Sequence, residues 1–166
     1  MEWYKQTDRK RGIPDLIAQE NATDQIYSFI EMLFREWIQQ LSLDGIKPKV
    51  NIYPGESVFL NFNYTPTLEK IYNVPTKQIV YIHNTSDYNP IFGHGLNDSV
   101  IDGISSSIED KSLKAEFKSL LKSLRKNPEE NIQNKMAFFN NLSNISEVFV
   151  LGHSLADVDL PYFKLI

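Results

Sequence analysis

Two short apolar runs, SVFLNF (residues 57–62) and QIVYIH (78–83), enclose a stretch with room for one short helix, and this spacing constrains the fold more than any other feature of the chain. Between them Thr65 and Pro66 suit an N-cap and a first helical position. A cap hydroxyl accepts an orphan amide, and proline lacks a donor that the first turn cannot use. PTLEKIY is therefore predicted to be a helix ending at about Asn73. Strand, helix, strand in this order pairs the strands in parallel, since a parallel neighbour requires a crossover and the helix supplies it. VFVL (148–151), running into Gly152, is read as a third strand. The expected class is α/β, a Rossmann-like three-layer parallel sheet flanked by helices.

The flanking helices are legible from periodicity. From Thr23 or Asp24, either a fair cap, Ile26, Phe29, Ile30, Leu33, Phe34, Trp37, Ile38 and Leu41 recur at three- and four-residue spacing. Leu113, Phe117, Leu120, Leu121 and Leu124 predict a later helix, and Ile132, Met136, Phe139 and Leu142 another that starts near Pro128. Residues 1–22 hold no sustained period and read as an irregular lead-in, with Lys5, Arg9, Lys10 and Arg11 as a solvated basic cluster. Residues 84–107 are polar, contain Gly93, Gly95 and Gly103, and read as a long loop of the kind that carries function. Residues 1–166 are expected to form a single domain, long enough to bury a core.

Composition excludes several classes. The chain has no cysteine, so neither a disulfide framework nor a thiolate metal site is open to it. No apolar run approaches the ~18 residues of a membrane helix, and the first residues lack the apolar segment of a secretory signal. A cytoplasmic protein with no membrane partner is expected. The net charge of −4 argues against a protein that coats nucleic acid.

In open parallel sheets ligands bind at the carboxyl ends of the strands. All three strand candidates end in polar motifs there: Asn61 and Asn63, then His83 and Asn84, then Gly152, His153 and Ser154. Amides, an imidazole and a Gly-His-Ser turn together suit a polyhydroxylated, anionic ligand. Each residue also has a plainer reading. Asn63 can satisfy backbone groups in the turn, His83 can be a satisfied strand-end imidazole, and Asp157 and Asp159 can cap the terminal helix. Glu69 faces solvent or pairs locally. His94, in the FGHG loop, is either a further acid or base or a loop histidine. His83, His94 and His153 offer three imidazoles, but their spacing gives zinc no support and no metal is expected.

Four successive segments, FLNFNYTPTLEKIY, IVYIHN, IFGHG and VFVLGHSLADVDLPYF, resemble the motifs of the AbiH family, bacterial proteins of abortive infection, in which an infected cell blocks phage propagation. The likeness runs from about residue 59 to the last residue. The same motifs are more distantly similar to sirtuin-like domains, which cleave the bond between nicotinamide and ribose in NAD. That likeness implies Asn63 and His83 as catalytic residues, His83 acting as a base near its ordinary pKa of ~6.5. It implies Asn61, Gly152, Ser154 and Asp157 as contacts to a nucleotide, NAD or ADP-ribose. The alternatives are a nucleotide-sensing or protein-binding module without turnover, and an inactive remnant.

The departures carry expectations too. Both groups begin with a Gly-rich turn after a first strand, Asn-Gly-Phe-Asp in AbiH proteins, where a helix N-terminus would cradle diphosphate. Residues 1–20 contain no such motif, and Thr65 stands where the sirtuin-like turn has an acid. The chain is thus expected to resemble an internal, truncated part of a longer AbiH protein, its sheet incomplete on the N-terminal side, and to bind NAD poorly alone.

Overall fold

The computed structural model describes residues 22–85 and 87–166. The lead-in expected over 1–22, its basic cluster and the search for a Gly-rich turn lie outside the described residues, except for Ala22, which opens the first helix. The chain divides into two compact units.

The described part of the first comprises residues 22–33 and Leu96–Arg125. Helix α1 (Ala22–Gln39) starts here; its periodicity is as expected, but Thr23 and Asp24 lie inside its first turn and do not cap it. The row that it buries is narrower than the apolar stripe in its sequence. Ala22, Ile26 and, in the second unit, Ile38 lie on one four-residue row and are buried, whereas Phe29, Leu33 and Trp37 are exposed. The polar stretch 84–107, expected to be a loop, contains helix α3 (Asp98–Ile104). Asn97 caps it by accepting from the Val100 amide at 3.0 Å, and Ile101 is fully buried beneath it. Asp110 caps α4 (Lys111–Ser123) in the same way through the Leu113 amide at 2.8 Å. Thr23 Oγ1 donates to Glu116 Oε2 at 2.9 Å, tying α1 to α4. Asp98 pairs with Arg125, and Asp102 with Lys118 at 2.7 Å. Being exposed and screened by solvent, these ion pairs contribute little.

The second unit comprises Phe34–Gly95 and Lys126–Ile166. Strand β1 (Phe59–Asn61) pairs in parallel with β2 (Ile79–Tyr81), in the register Phe59↔Ile79, Leu60↔Val80, Asn61↔Tyr81. The crossover carries α2 (Thr67–Tyr72). Parallel pairing through a helix is therefore as expected. The start of the helix is not: Pro66, with φ −76° and ψ 47°, occupies the cap position, and the Thr65 hydroxyl bonds the Thr67 hydroxyl at 2.9 Å instead of capping. Asn73, at φ 55°, ends α2 in the left-handed region that asparagine tolerates. The helix predicted from Pro128 breaks at Lys135 into α5 (Pro128–Asn134) and α6 (Met136–Asn140). A last short helix, α7, spans Leu160–Phe163.

Ile82, directly after β2, forms the core of this unit with Ile132, Phe139 and Tyr162, and Leu60, Phe62, Met136, Phe138 and Leu142 pack against it. Asn131 Nδ2 donates to the Ile82 carbonyl at 2.6 Å and to Tyr162 Oη at 2.9 Å, so the polar groups that enter this core are paired.

The third strand is a correction. Residues 148–151 form no strand, and Val148, Phe149, Val150 and Leu151 are all exposed, Phe149 by 77%. An apolar run with β-branched residues has strand propensity, but it becomes a strand only where the fold lays it along a sheet edge, and here it is laid along neither β1 nor β2. The sheet of the described residues has only β1 and β2. The class is accordingly mixed helix and strand with a small parallel sheet, and the described residues do not form the expected three-layer sandwich. Among them, no helix is long and apolar enough to cross a membrane.

Candidate functional site

The register of the parallel pair brings the segments that follow β1 and β2 to the same end of the sheet. Asn61 closes β1, and its carbonyl accepts the Ile82 amide at 2.8 Å, the last bond joining the segments. Its buried side chain turns the chain: Oδ1 accepts from the Asn63 amide at 2.9 Å. The backbone-satisfying role weighed for Asn63 thus belongs to Asn61. The strand ends at Asn61, which leaves Asn63 exposed in the turn.

Beyond the turn, two aromatic rings flank His83. Phe62 meets it edge-on at 5.7 Å between centroids, and Tyr64 stacks on it at 5.8 Å. Tyr64 is held by donating to the Ile91 carbonyl at 2.8 Å. Phe62 also contacts the His153 ring at 4.4 Å.

Asp159 lies between these imidazoles. Its Oδ1 is 3.5 Å from His83 Nε2 and its Oδ2 is 3.4 Å from His153 Nε2. His153 Nδ1 accepts the Leu155 amide at 2.8 Å, so the proton of the neutral ring sits on Nε2, facing the carboxylate. His83 has the opposite tautomer. Lys126 Nζ lies 3.3 Å from its Nε2, and an ammonium only donates, which leaves the ring proton on Nδ1. That Nδ1 is buried without a hydrogen-bond partner, as is Asp159 Oδ1. Next to His83, Asn84 accepts from Lys135 Nζ at 3.4 Å through Oδ1 and donates to the Asn89 carbonyl at 3.1 Å through Nδ2.

These contacts overturn the expectation that His83 titrates near its ordinary value. Burial, then Lys126, His153 and Lys135, push its pKa down to about 3, so the ring is neutral and a poor base at neutral pH. Burial also lowers both lysines, Lys126 against the opposing pull of Asp159. Tyr64 is raised to about 12, by burial and then by Asp159.

The other predicted residues are placed apart from this cluster or at its margin. Gly152, Ser154 and Asp157 are exposed. Gly152 has φ 65° with open space where a Cβ would stand, so its backbone conformation is what calls for glycine. Asp159 makes no capping bond to α7, and its buried carboxylate serves the imidazoles instead. Glu69 pairs locally, accepting from Tyr81 Oη at 2.6 Å. The His94 carbonyl accepts the Lys126 amide at 2.9 Å. At Gly95 an added Cβ would lie 2.6 Å from Val158 Cβ, so the FGHG loop is pressed against the segment carrying Asp159. Among the described residues, no group of three or more His, Asp or Glu is placed to hold a metal.

Sequence reasoning missed Lys126 and Lys135, which carry no local signal, and did not pair His153 with Asp159. The spacing in GHSLADVD was the one available hint, since it returns the chain to the same histidine.

No curated protein and no solved structure matches the chain. A family model does, over residues 2–166, and by that match the chain belongs to the family described as bacteriophage abortive infection AbiH.

Proposed function

We propose that this abortive-infection protein acts on a nucleotide, NAD in the first instance, held at the carboxyl ends of β1 and β2. The observation that carries the reading is the His83–Asp159–His153 cluster, buried at His83 and Asp159, with the Phe62 and Tyr64 rings beside it. Aromatic faces suit a nucleotide ring. Asp159 supplies a carboxylate with one unpartnered oxygen. Cleavage of the nicotinamide–ribose bond sends the bonding pair out with neutral nicotinamide and leaves positive charge on the ribose, which a nearby carboxylate stabilises more in the transition state than in the ground state. Water then adds to the ribose and gives up a proton. In this reading Asn63 orients the ribose or the water, His83 donates through Nδ1 or takes up the late proton, and Asn61, Gly152, Ser154 and Asp157 contact the nucleotide. The expected cytoplasmic location belongs to the same reading.

The test is to incubate the protein with NAD and follow nicotinamide release. Release that Asn63→Ala and His83→Ala abolish supports the proposal, and release unchanged in both variants sinks it. A second reading, nucleotide binding without turnover, is favoured by the depressed basicity of His83. Calorimetry with NAD and ADP-ribose that shows binding while nicotinamide release stays absent selects this second reading.

A further inference from the structure

We infer that Lys126 and Lys135, which contact the consecutive residues His83 and Asn84, seat a phosphoryl group. Both ammoniums are half-buried, and among the described residues neither has an ion-pair partner. Their polar side-chain contacts are neutral acceptors: His83 Nε2 at 3.3 Å for Lys126 and Asn84 Oδ1 at 3.4 Å for Lys135. The one carboxylate of the cluster, Asp159, lies between His83 and His153 and attracts Lys126 without forming an ion pair with it. Positive charge therefore exceeds negative charge around His83, in surroundings where an unpaired ammonium is costly.

The uncommitted donors are the two ammoniums and His83 Nδ1, which belongs to a side chain more than nine-tenths buried, at 4% exposure, and has no partner. A metal cation would meet two ammoniums, and an apolar ligand would leave the donors unsatisfied. A carboxylate would answer the charge with one negative charge on two oxygens. A phosphoryl group brings more charge and three acceptor oxygens, which lysine binds as a point charge. The seat deepens the nucleotide reading and rests on it for the ring that Phe62 and Tyr64 would face, not for the anion itself. An anion there would also offset the ammoniums that depress His83 and so return basicity to the ring.

The experiment titrates inorganic phosphate into the full chain while the His83 ring and the Lys126 and Lys135 side chains are followed by NMR. Acetate at equal ionic strength serves as the carboxylate arm. Phosphate should give a saturable shift of all three side chains and raise the pH at which His83 protonates, with acetate much weaker. The Lys126→Met, Lys135→Met double variant should bind phosphate at least about tenfold more weakly, the loss expected for charge-assisted hydrogen bonds. No saturable response in the wild-type chain overturns the seat. So does acetate acting as strongly as phosphate, or a double variant with wild-type circular dichroism that binds phosphate as before. Phosphate binding without nicotinamide release leaves the seat standing and removes the hydrolase reading. Release with no phosphate response does the reverse.

Discussion

His83 is held neutral inside the second unit, and acidification tests this directly. The unfolded chain carries this histidine near 6.5 and the folded chain near about 3. Between those values the unfolded state binds a proton that the folded state does not, so stability rises with pH and is lost as pH falls below about 6.5. Above that value the contribution is fully present. From about pH 7 to about pH 5 the lost stability is about 1.5 pH units at 1.36 kcal/mol each, or ~2 kcal/mol. Carboxylates titrate in part of the same range, so the comparison is with His83→Gln, which keeps a polar side chain but cannot titrate. Urea denaturation of both proteins at the two pH values should show the wild type losing ~2 kcal/mol more than the variant. Equal losses would mean that His83 titrates alike in both states, and the argument from burial, Lys126, His153 and Lys135 would then be wrong.

Three further substitutions probe the surroundings of the cluster. Asn131→Leu leaves the buried Ile82 carbonyl without its donor at 2.6 Å and should lower urea stability by about 1–3 kcal/mol; a loss below ~0.5 kcal/mol would show that the carbonyl finds another partner. Gly95→Ala places a methyl 2.6 Å from Val158 Cβ and should cost about 1–3 kcal/mol, with altered NMR signals at His153 and Asp159. Wild-type stability there would mean that the two segments are not pressed together. Asp159→Asn removes the charge that holds Lys126 up against burial, so Lys126 should titrate at lower pH when its side-chain signals are followed; an unmoved titration would separate the two groups.

Local order was readable from the chain itself. The row Ala22, Ile26, Ile30, Phe34 and Ile38 follows the helical period, and the pairing of β1 with β2 follows from the short helix between them. Asp110 and Asn127 cap their helices with a side-chain oxygen three residues before the amide it serves, a local signal that the sequence reading passed over. The reading failed where local signals pointed two ways. Asn97 and Ile101 made a helix inside a stretch dominated by glycine and polar residues, and Pro66 took the place in the cap that Thr65 was given.

The candidate site shows the same division more sharply. Two of its members were legible there, Asn61 at the end of β1 and His83 two residues past β2; Asp157 was chosen where Asp159 turned out to hold the buried carboxylate. Lys126 and Lys135 reach His83 and Asn84 from residues far away in sequence, and nothing near them in the chain announces it. What the sequence determined by itself is the long helices α1 and α4, the parallel pair and the end of the sheet where polar residues gather, because periods and crossovers act over a few neighbouring residues. Only the tertiary structure decided that VFVL stays unpaired, which aspartate lies between the imidazoles, and how weak a base His83 is. Strand partners, burial and neighbouring charge are set by chain segments that meet only when the protein folds.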